Sequence, residues 1–271
     1  MTVCIAAICD GGKAIVVAAD RMFTTPPPVN LEFETAEKKI EALSPSCVAL
    51  LSGNSAFGTE IMHGALSTLQ GAQQPQVVLA ADAVKASYVD VRSRKVRENL
   101  IVPNLGPDFL RAEQLGMSIP TYLKEQGGLY QQLVGGMNGF NIGADIIVAG
   151  VDDRGARLAV IGHPGTIAWL DKLGYAAIGS GGNHALMRLS LGAHTRNSPL
   201  IETLYRVYDA KRASEVAPGV GQASDLAIVY SDRTEQASPK LLEALSEVFN
   251  ESGGKQPASL DPVSRAVEGS S

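Results

Sequence analysis

Two short stretches at the start of the chain, residues 2 to 9 and 14 to 20, are almost wholly apolar and rich in Val, Ile and Ala. Asp10-Gly11-Gly12-Lys13 lies between them. Apolar runs of this length bounded by turn residues read as strands, and the glycine pair supplies the positive φ that a tight hairpin needs. A second hairpin joins residues 37 to 43 with residues 47 to 53 through Ser44-Pro45-Ser46. Helical patterning covers 55 to 70 and 77 to 99, broken at Gln73-Gln74-Pro75. Strand character returns at 144 to 151, 156 to 163, 166 to 171 and 175 to 179. Helices over about 182 to 195 and 199 to 216, a strand over 224 to 231 and a helix over 238 to 249 complete the pattern.

Strands and helices thus come in groups, which indicates α+β layering rather than alternating βαβ units. The strands are nearly continuous apolar runs, so both faces of each sheet are expected to be covered. Two antiparallel sheets packed face to face, with helices outside each, meet that demand. Residues 1 to 249 are read as one domain. Within it, residues 100 to 142 carry Pro103, Pro107, Pro120 and five glycines between 127 and 139, and look like an insertion holding one helix near 120 to 134. The segment from about 250 to 271 is polar and turn-rich, and is expected to be disordered.

Composition narrows the classes of function. With 271 residues, 45% of them hydrophobic and 19% charged, one large core is affordable. A net charge of −5 argues against a general nucleic-acid binder, whose surface must neutralise phosphates. The one basic cluster, Arg92, Arg94, Lys95 and Arg97, reads as a solvated helix face. There is neither an 18-residue apolar run nor a basic segment leading into an apolar one, so no membrane span or signal peptide is expected and the location is read as cytoplasmic. Cys4, Cys9 and Cys47 sit in apolar runs without metal-type spacing and read as buried thiols. The four histidines show no ligand spacing, and no metal or other cofactor is expected.

The candidate chemistry starts at Thr2. Removal of Met1 would leave a threonine with a free α-amine, whose reference pKa of ~7.7 to 8.0 lets it act as a base near neutral pH. If the first hairpin turns at Gly11-Gly12, paired residue numbers sum to 23, and Val3 lies opposite Asp20. An unbroken ladder puts Asp20 on the face of Val3, whereas one bulge would put it with Thr2. In the second hairpin a three-residue turn makes pairs sum to 90, placing Lys39 opposite Leu51 and near Ser52-Gly53. A glycine there allows close approach of a carbonyl to a backbone N–H. Asp20 and Lys39 also fit an ordinary strand-end ion pair. Ala176-Ala177-Ile178-Gly179-Ser180-Gly181-Gly182 reads as a buried strand turning into a helix and presenting Ser180. It lacks the spacing and the Lys-Ser/Thr of a nucleotide loop.

The order of these features resembles a proteasome-type β subunit of the N-terminal-nucleophile hydrolases. The likeness rests on Thr2 opening a strand, Ala18-Ala19-Asp20, Glu37-Lys38-Lys39-Ile40, Leu51-Ser52-Gly53-Asn54, Ala149-Gly150-Val151-Asp152 and Ala177-Ile178-Gly179-Ser180-Gly181-Gly182. It spans about residues 2 to 99 and 143 to 232. The resemblance implies a four-layer αββα sandwich and a threonine-type peptidase that assembles into homo-oligomeric rings. It also implies a peptide or unfolded protein as substrate, and leaves an ATP-dependent unfoldase open as a partner. By position, Thr2 would be the nucleophile, Lys39 would lower the proton affinity of its amine and Asp20 would orient that lysine. Gly53 would donate to the oxyanion, and Ser180 would bond near the terminal amine. The chain departs from the family in reading Ala217-Pro218-Gly219-Val220-Gly221 where an acid and a serine are usual, in placing Arg21 directly after Asp20 and in carrying the 100 to 142 insertion, and no propeptide is expected before Thr2. Two other readings stand beside the peptidase: a non-catalytic subunit of the same fold serving assembly or binding, and an amidase of the same class acting on a small amide.

Overall fold

The computed structural model describes residues 2–24, 31–35, 38–71, 75–114, 116, 127–253 and 255–269. The fold mixes helices with antiparallel sheets. The strands are β1 (Cys4–Cys9), β2 (Ala14–Asp20), β3 (Met22–Thr24), β4 (Glu32–Glu34), β5 (Ile40–Ser44) and β6 (Cys47–Gly53), followed by β7 (Ala144–Asp152), β8 (Gly155–Gly162), β9 (Thr166–Trp169), β10 (Tyr175–Ile178), β11 (Ser224–Val229) and β12 (Thr234–Gln236). The helices are α1 (Ser55–Leu69), α2 (Val77–Val96), α3 (Val102–Gln114), α4 (Gly127–Gly139), α5 (Gly182–Leu191), α6 (Leu200–Ser214), α7 (Pro239–Ser252) and α8 (Asp261–Glu268).

Three sheets form. One five-stranded sheet has the order β10-β1-β2-β11-β12, a second has β5-β6-β7-β8-β9, and β3 pairs with β4 in a two-stranded ribbon. The first hairpin turns through Asp10, Gly11 and Gly12, all at positive φ. Its register runs from Cys4 opposite Ala19 to Cys9 opposite Ala14, the predicted sum of 23. The second hairpin pairs Ile40 with Leu50 and Ala42 with Val48, the predicted sum of 90, before a bulge at Ser44. Alternate side chains of β1 and β2 go to opposite faces. Ile5, Ala7, Val16 and Ala18 pack with Leu189, Leu204, Val207 and Leu245 of the helices α5 to α7. Cys4, Ala6, Ile8, Ile15 and Val17 pack with Val48, Leu50, Ile147 and Ala149 of the second sheet. The far face of that sheet, through Cys47, Ala49, Ile146 and Val148, packs on Ile61, Met62, Ala80 and Val84 of α1 and α2. Two buried faces per strand explain the unbroken apolar runs.

Helix ends follow local chemistry. The Asn54 side chain caps α1 by accepting from Phe57 N at 3.3 Å, and Ser238 caps α7 by accepting from Leu241 N at 3.2 Å, with Pro239 in the first turn. Gly253, in the left-handed region at φ 58°, ends α7.

Two expectations are corrected. Residues 255–269 are not disordered, because α8 places Val263 fully out of solvent in the same cluster as Leu241 and Leu245. Its apolar residues Val263, Ala266 and Val267 fall at helical spacing and pack inward, a pattern that the surrounding Ser, Gly and Asp hide in a composition count. The insertion is also more helical than expected. A π-helical segment over Arg97–Ile101 continues α2 and leads into α3, which is kinked at Gly106 (φ 71°), and α4 follows. Val96, Ile101, Leu105 and Leu133 form a small apolar cluster of their own. The helix expected near 120 to 134 is observed from Gly127, and residues 120 to 126 lie outside the described residues.

The basic cluster spans the end of α2 and the start of the π-helical segment, half-buried and with most of its charge paired rather than fully solvated. Arg92 donates to the Met137 and Phe140 carbonyls at 2.5 and 3.1 Å and so caps the end of α4. Arg94 meets Glu60 at 2.6 Å, Lys95 meets Glu98 at 2.8 Å, and Arg97 pairs with Glu113. Among the described residues no helix is long and apolar enough to cross a membrane.

Candidate active site around Thr2

Thr2 and Lys39 each precede the first regular residue of a strand, Cys4 of β1 and Ile40 of β5. Strict alternation therefore does not govern either side chain. The ladder between β1 and β2 is unbroken, and the Asp20 N–H donates to the Val3 carbonyl at 3.2 Å. No bulge is needed to bring Asp20 to Thr2: the strand-end carboxylate reaches both the Val3 N–H, at 2.9 Å, and the Thr2 hydroxyl.

The cluster is tightly connected. Lys39 Nζ donates to Asp20 Oδ1 at 2.9 Å, to the Met22 carbonyl at 2.5 Å and to Thr2 Oγ1. Three acceptors thus take the three ammonium protons. The Lys39 ammonium also lies 5.6 Å from the centre of the Phe23 ring. The other carboxylate oxygen, Asp20 Oδ2, accepts from Met22 N and Gly221 N, both at 3.0 Å. Asp20 is fully buried and Lys39 is 8% exposed. Burial on its own would push the Asp20 carboxyl up. The Lys39 charge, the Gly221 N–H and the Thr2 hydroxyl together outweigh it and hold the group below the usual carboxylate value.

Ser180 closes the other side. Thr2 N donates to Ser180 Oγ at 3.2 Å, and the Ser180 hydroxyl lies 3.3 Å from the Thr2 carbonyl and 3.2 Å from the Pro218 carbonyl. Gly181 N also donates to the Thr2 carbonyl, at 3.2 Å. Residue 179 must be glycine, since it sits at φ 91° and a Cβ there would strike the Thr2 carbonyl oxygen. Thr2 itself is 2% exposed with Met1 still attached.

Four of the five residues singled out in the sequence, Thr2, Asp20, Lys39 and Ser180, are in direct contact. Gly53 stands apart. It ends β6 at φ 88°, exposed to solvent, where a Cβ would collide with the Gly143 carbonyl. Two residues earlier, Leu51 N donates to the Lys39 carbonyl at 3.0 Å and the Leu51 carbonyl accepts from Cys4 Sγ at 3.2 Å. Gly53 is thereby on the strand that flanks the cluster, but among the described residues no hydrogen bond joins it to Thr2.

Several contributors were not singled out in the sequence. The backbone groups of Val3, Met22, Pro218 and Gly221 shape the site, and residue type does not announce a backbone donor or acceptor. Arg21 pairs with Asp225 at 2.5 Å, so the charge that follows Asp20 is drawn toward β11. Cys4, beside the cluster, has its thiol pushed up to about 12, chiefly by burial, which leaves it un-ionised and a poor nucleophile. Among the described residues, no three His, Cys, Asp or Glu side chains gather as a metal site. No known protein-family model matches the chain, and no curated protein sequence matches it.

Proposed function

We propose that the chain is a threonine-type amidohydrolase of the N-terminal-nucleophile class, acting on peptide bonds once Met1 has been removed. The observation that carries this reading is one hydroxyl, Thr2 Oγ1, bonded to both an ammonium and a carboxylate, with Ser180 Oγ on the nitrogen of the same residue. In that arrangement Thr2 Oγ1 attacks the substrate carbonyl while its proton passes to the freed α-amine. The leaving amine takes up that proton, and water then hydrolyses the threonyl ester. Lys39, bonded to the hydroxyl of the same residue, disfavours a proton on the freed amine, because neighbouring cations repel. Asp20, held ionised, fixes the lysine. Gly53 N–H, at the exposed end of β6, is the candidate oxyanion donor.

The three apolar clusters fit a four-layer αββα sandwich, the architecture of this enzyme class. A self-compartmentalised ring, a polypeptide substrate, an ATP-dependent unfoldase partner and a cytoplasmic location belong to the same reading. A second reading, a non-catalytic subunit of the same fold, draws on the burial of Thr2, whose nitrogen is a non-basic amide while Met1 is present.

Intact-mass measurement of the purified protein, with and without a threonine-directed electrophile, separates the two. Loss of one methionine and a single adduct at residue 2, absent in Thr2→Ala, is the expected result. A retained Met1 and no adduct would refute hydrolysis and leave the binding subunit.

A further inference from the structure

The turn between α6 and β11 holds more of the site than its side chains explain. Ala217 and Val220 have no polar side-chain atoms. Even so, the Pro218 carbonyl accepts from Ser180 at 3.2 Å and Gly221 N–H donates to Asp20 at 3.0 Å. The turn has backbone bonds of its own, Ala217 N to the Ser214 carbonyl at 3.0 Å and Val220 N to the Ala217 carbonyl at 3.3 Å, and a further tie spans it from outside. Behind them lies Lys211 on α6, fully buried. Its ammonium donates to Glu215 Oε1 at 2.7 Å, where the turn begins, and to the Gln222 carbonyl at 2.5 Å, where it ends. Arg212 Nε approaches the same Glu215 oxygen at 3.4 Å.

Taking a lysine fully out of water is an expensive way to fill space, since apolar residues of similar volume often serve stability equally well. Burial pulls the lysine toward its neutral form, as does the neighbouring Arg212. Glu215 and the charge of Asp20 act against that. A group kept at such cost has a geometric use open to it, and here the geometry is the span of the turn.

We propose that Lys211 is a positioning residue for the Thr2 site: by tying residue 215 to residue 222, its ammonium keeps Gly221 N–H aimed at Asp20 and the Pro218 carbonyl aimed at Ser180. The proposal rests on the hydrolase reading and extends it. Lys211 does from behind the turn what the apolar side chains of Ala217 and Val220 cannot do from within it.

The test compares wild type, Lys211→Met and Lys211→Arg in the full chain. It uses peptide hydrolysis as a function of pH and amide hydrogen exchange by mass spectrometry. Lys211→Met is expected to lower kcat by about 10- to 100-fold, the cost of a small misplacement of the reacting groups, with KM changed less than about twofold. Its acid limb should move to higher pH, because a carboxylate that loses an N–H donor and a neighbouring positive charge binds a proton more readily. Exchange should quicken over residues 216 to 222 and stay unchanged in β1 and β2, and Lys211→Arg should recover most of kcat. If Lys211→Met does not fold, Lys211→Gln keeps a donor for the Gln222 carbonyl and should shift kcat and the acid limb in the same direction. An active wild type whose variants keep its kcat and pH profile overturns the role of Lys211 and leaves the hydrolase standing. Equal losses in the Met and Arg variants, with an unmoved acid limb, also overturn it by reducing Lys211 to packing. A wild type that retains Met1 and takes no electrophile overturns both.

Discussion

Replacing Lys39 by methionine keeps most of the side-chain volume and removes the charge that faces Asp20. At the observed 2.9 Å and an effective dielectric near 20, the attraction lost is about 6 kcal/mol. Part of it is made up by the N–H groups of Val3, Met22 and Gly221, which still hold the carboxylate. Breaking one side of a buried pair costs ~3 to 5 kcal/mol, and the residual bonds put Lys39→Met at the lower end of that range, a fall in melting temperature of about 10 °C. The pH dependence has a definite sign. In the wild type the Asp20 carboxyl lies below its ordinary value, so its contribution is present above the unfolded value of ~3.9 and disappears only as the pH falls through the lower folded value. In Lys39→Met burial is no longer opposed by that charge, the carboxyl rises, and protonation relieves the unpaired group at milder acidity. The gap in stability between wild type and variant should therefore shrink from pH 7 to pH 5. Urea denaturation of wild type, Lys39→Met, Asp20→Asn and the double variant measures both quantities. A loss below about 1 kcal/mol at pH 7, or costs that simply add in the double variant, would refute the coupling. Hydrolysis should be absent in Lys39→Met, whatever its stability.

Gly53→Ala should destabilise the fold by about 2 kcal/mol or more, since it forces a side chain into the left-handed region and against the Gly143 carbonyl. Urea denaturation within ~0.5 kcal/mol of wild type would contradict that geometry. Cys4, Cys9 and Cys47 are buried free thiols pushed up to about 12, chiefly by burial. A disulfide reagent at pH 8 should leave the native protein unlabelled and modify all three cysteines in urea, so rapid labelling of the native state would show that the strands open.

The hairpin registers were legible because a strand has period two and the turn residues are short and glycine-marked. Counting from Gly11-Gly12 and from Ser44-Pro45-Ser46 gives the observed partners of Cys4 and Ile40. Parity failed as a guide only where the strands end. Asp20 and Thr2 meet without a bulge, because a carboxylate at a strand terminus can reach around the first irregular residue of its neighbour. The β3–β4 ribbon escaped notice because each strand is three residues long, with no apolar run. The α8 helix escaped because a few inward apolar residues carry its packing. The segment 217 to 221 was picked out only through the family likeness, and the roles of Gly221 N–H and the Pro218 carbonyl within it were not legible. Every residue type but proline offers the same backbone donor, and only the path of the turn decides where it aims.

The saturation of the Lys39 ammonium has a consequence for recognition. With every proton already committed to Asp20, Thr2 and Met22, an incoming molecule finds no open valence on that nitrogen. The lysine can influence a guest through its field but cannot grip it. On the proposed hydrolase reading, polar decorations meant to reach it should gain no affinity.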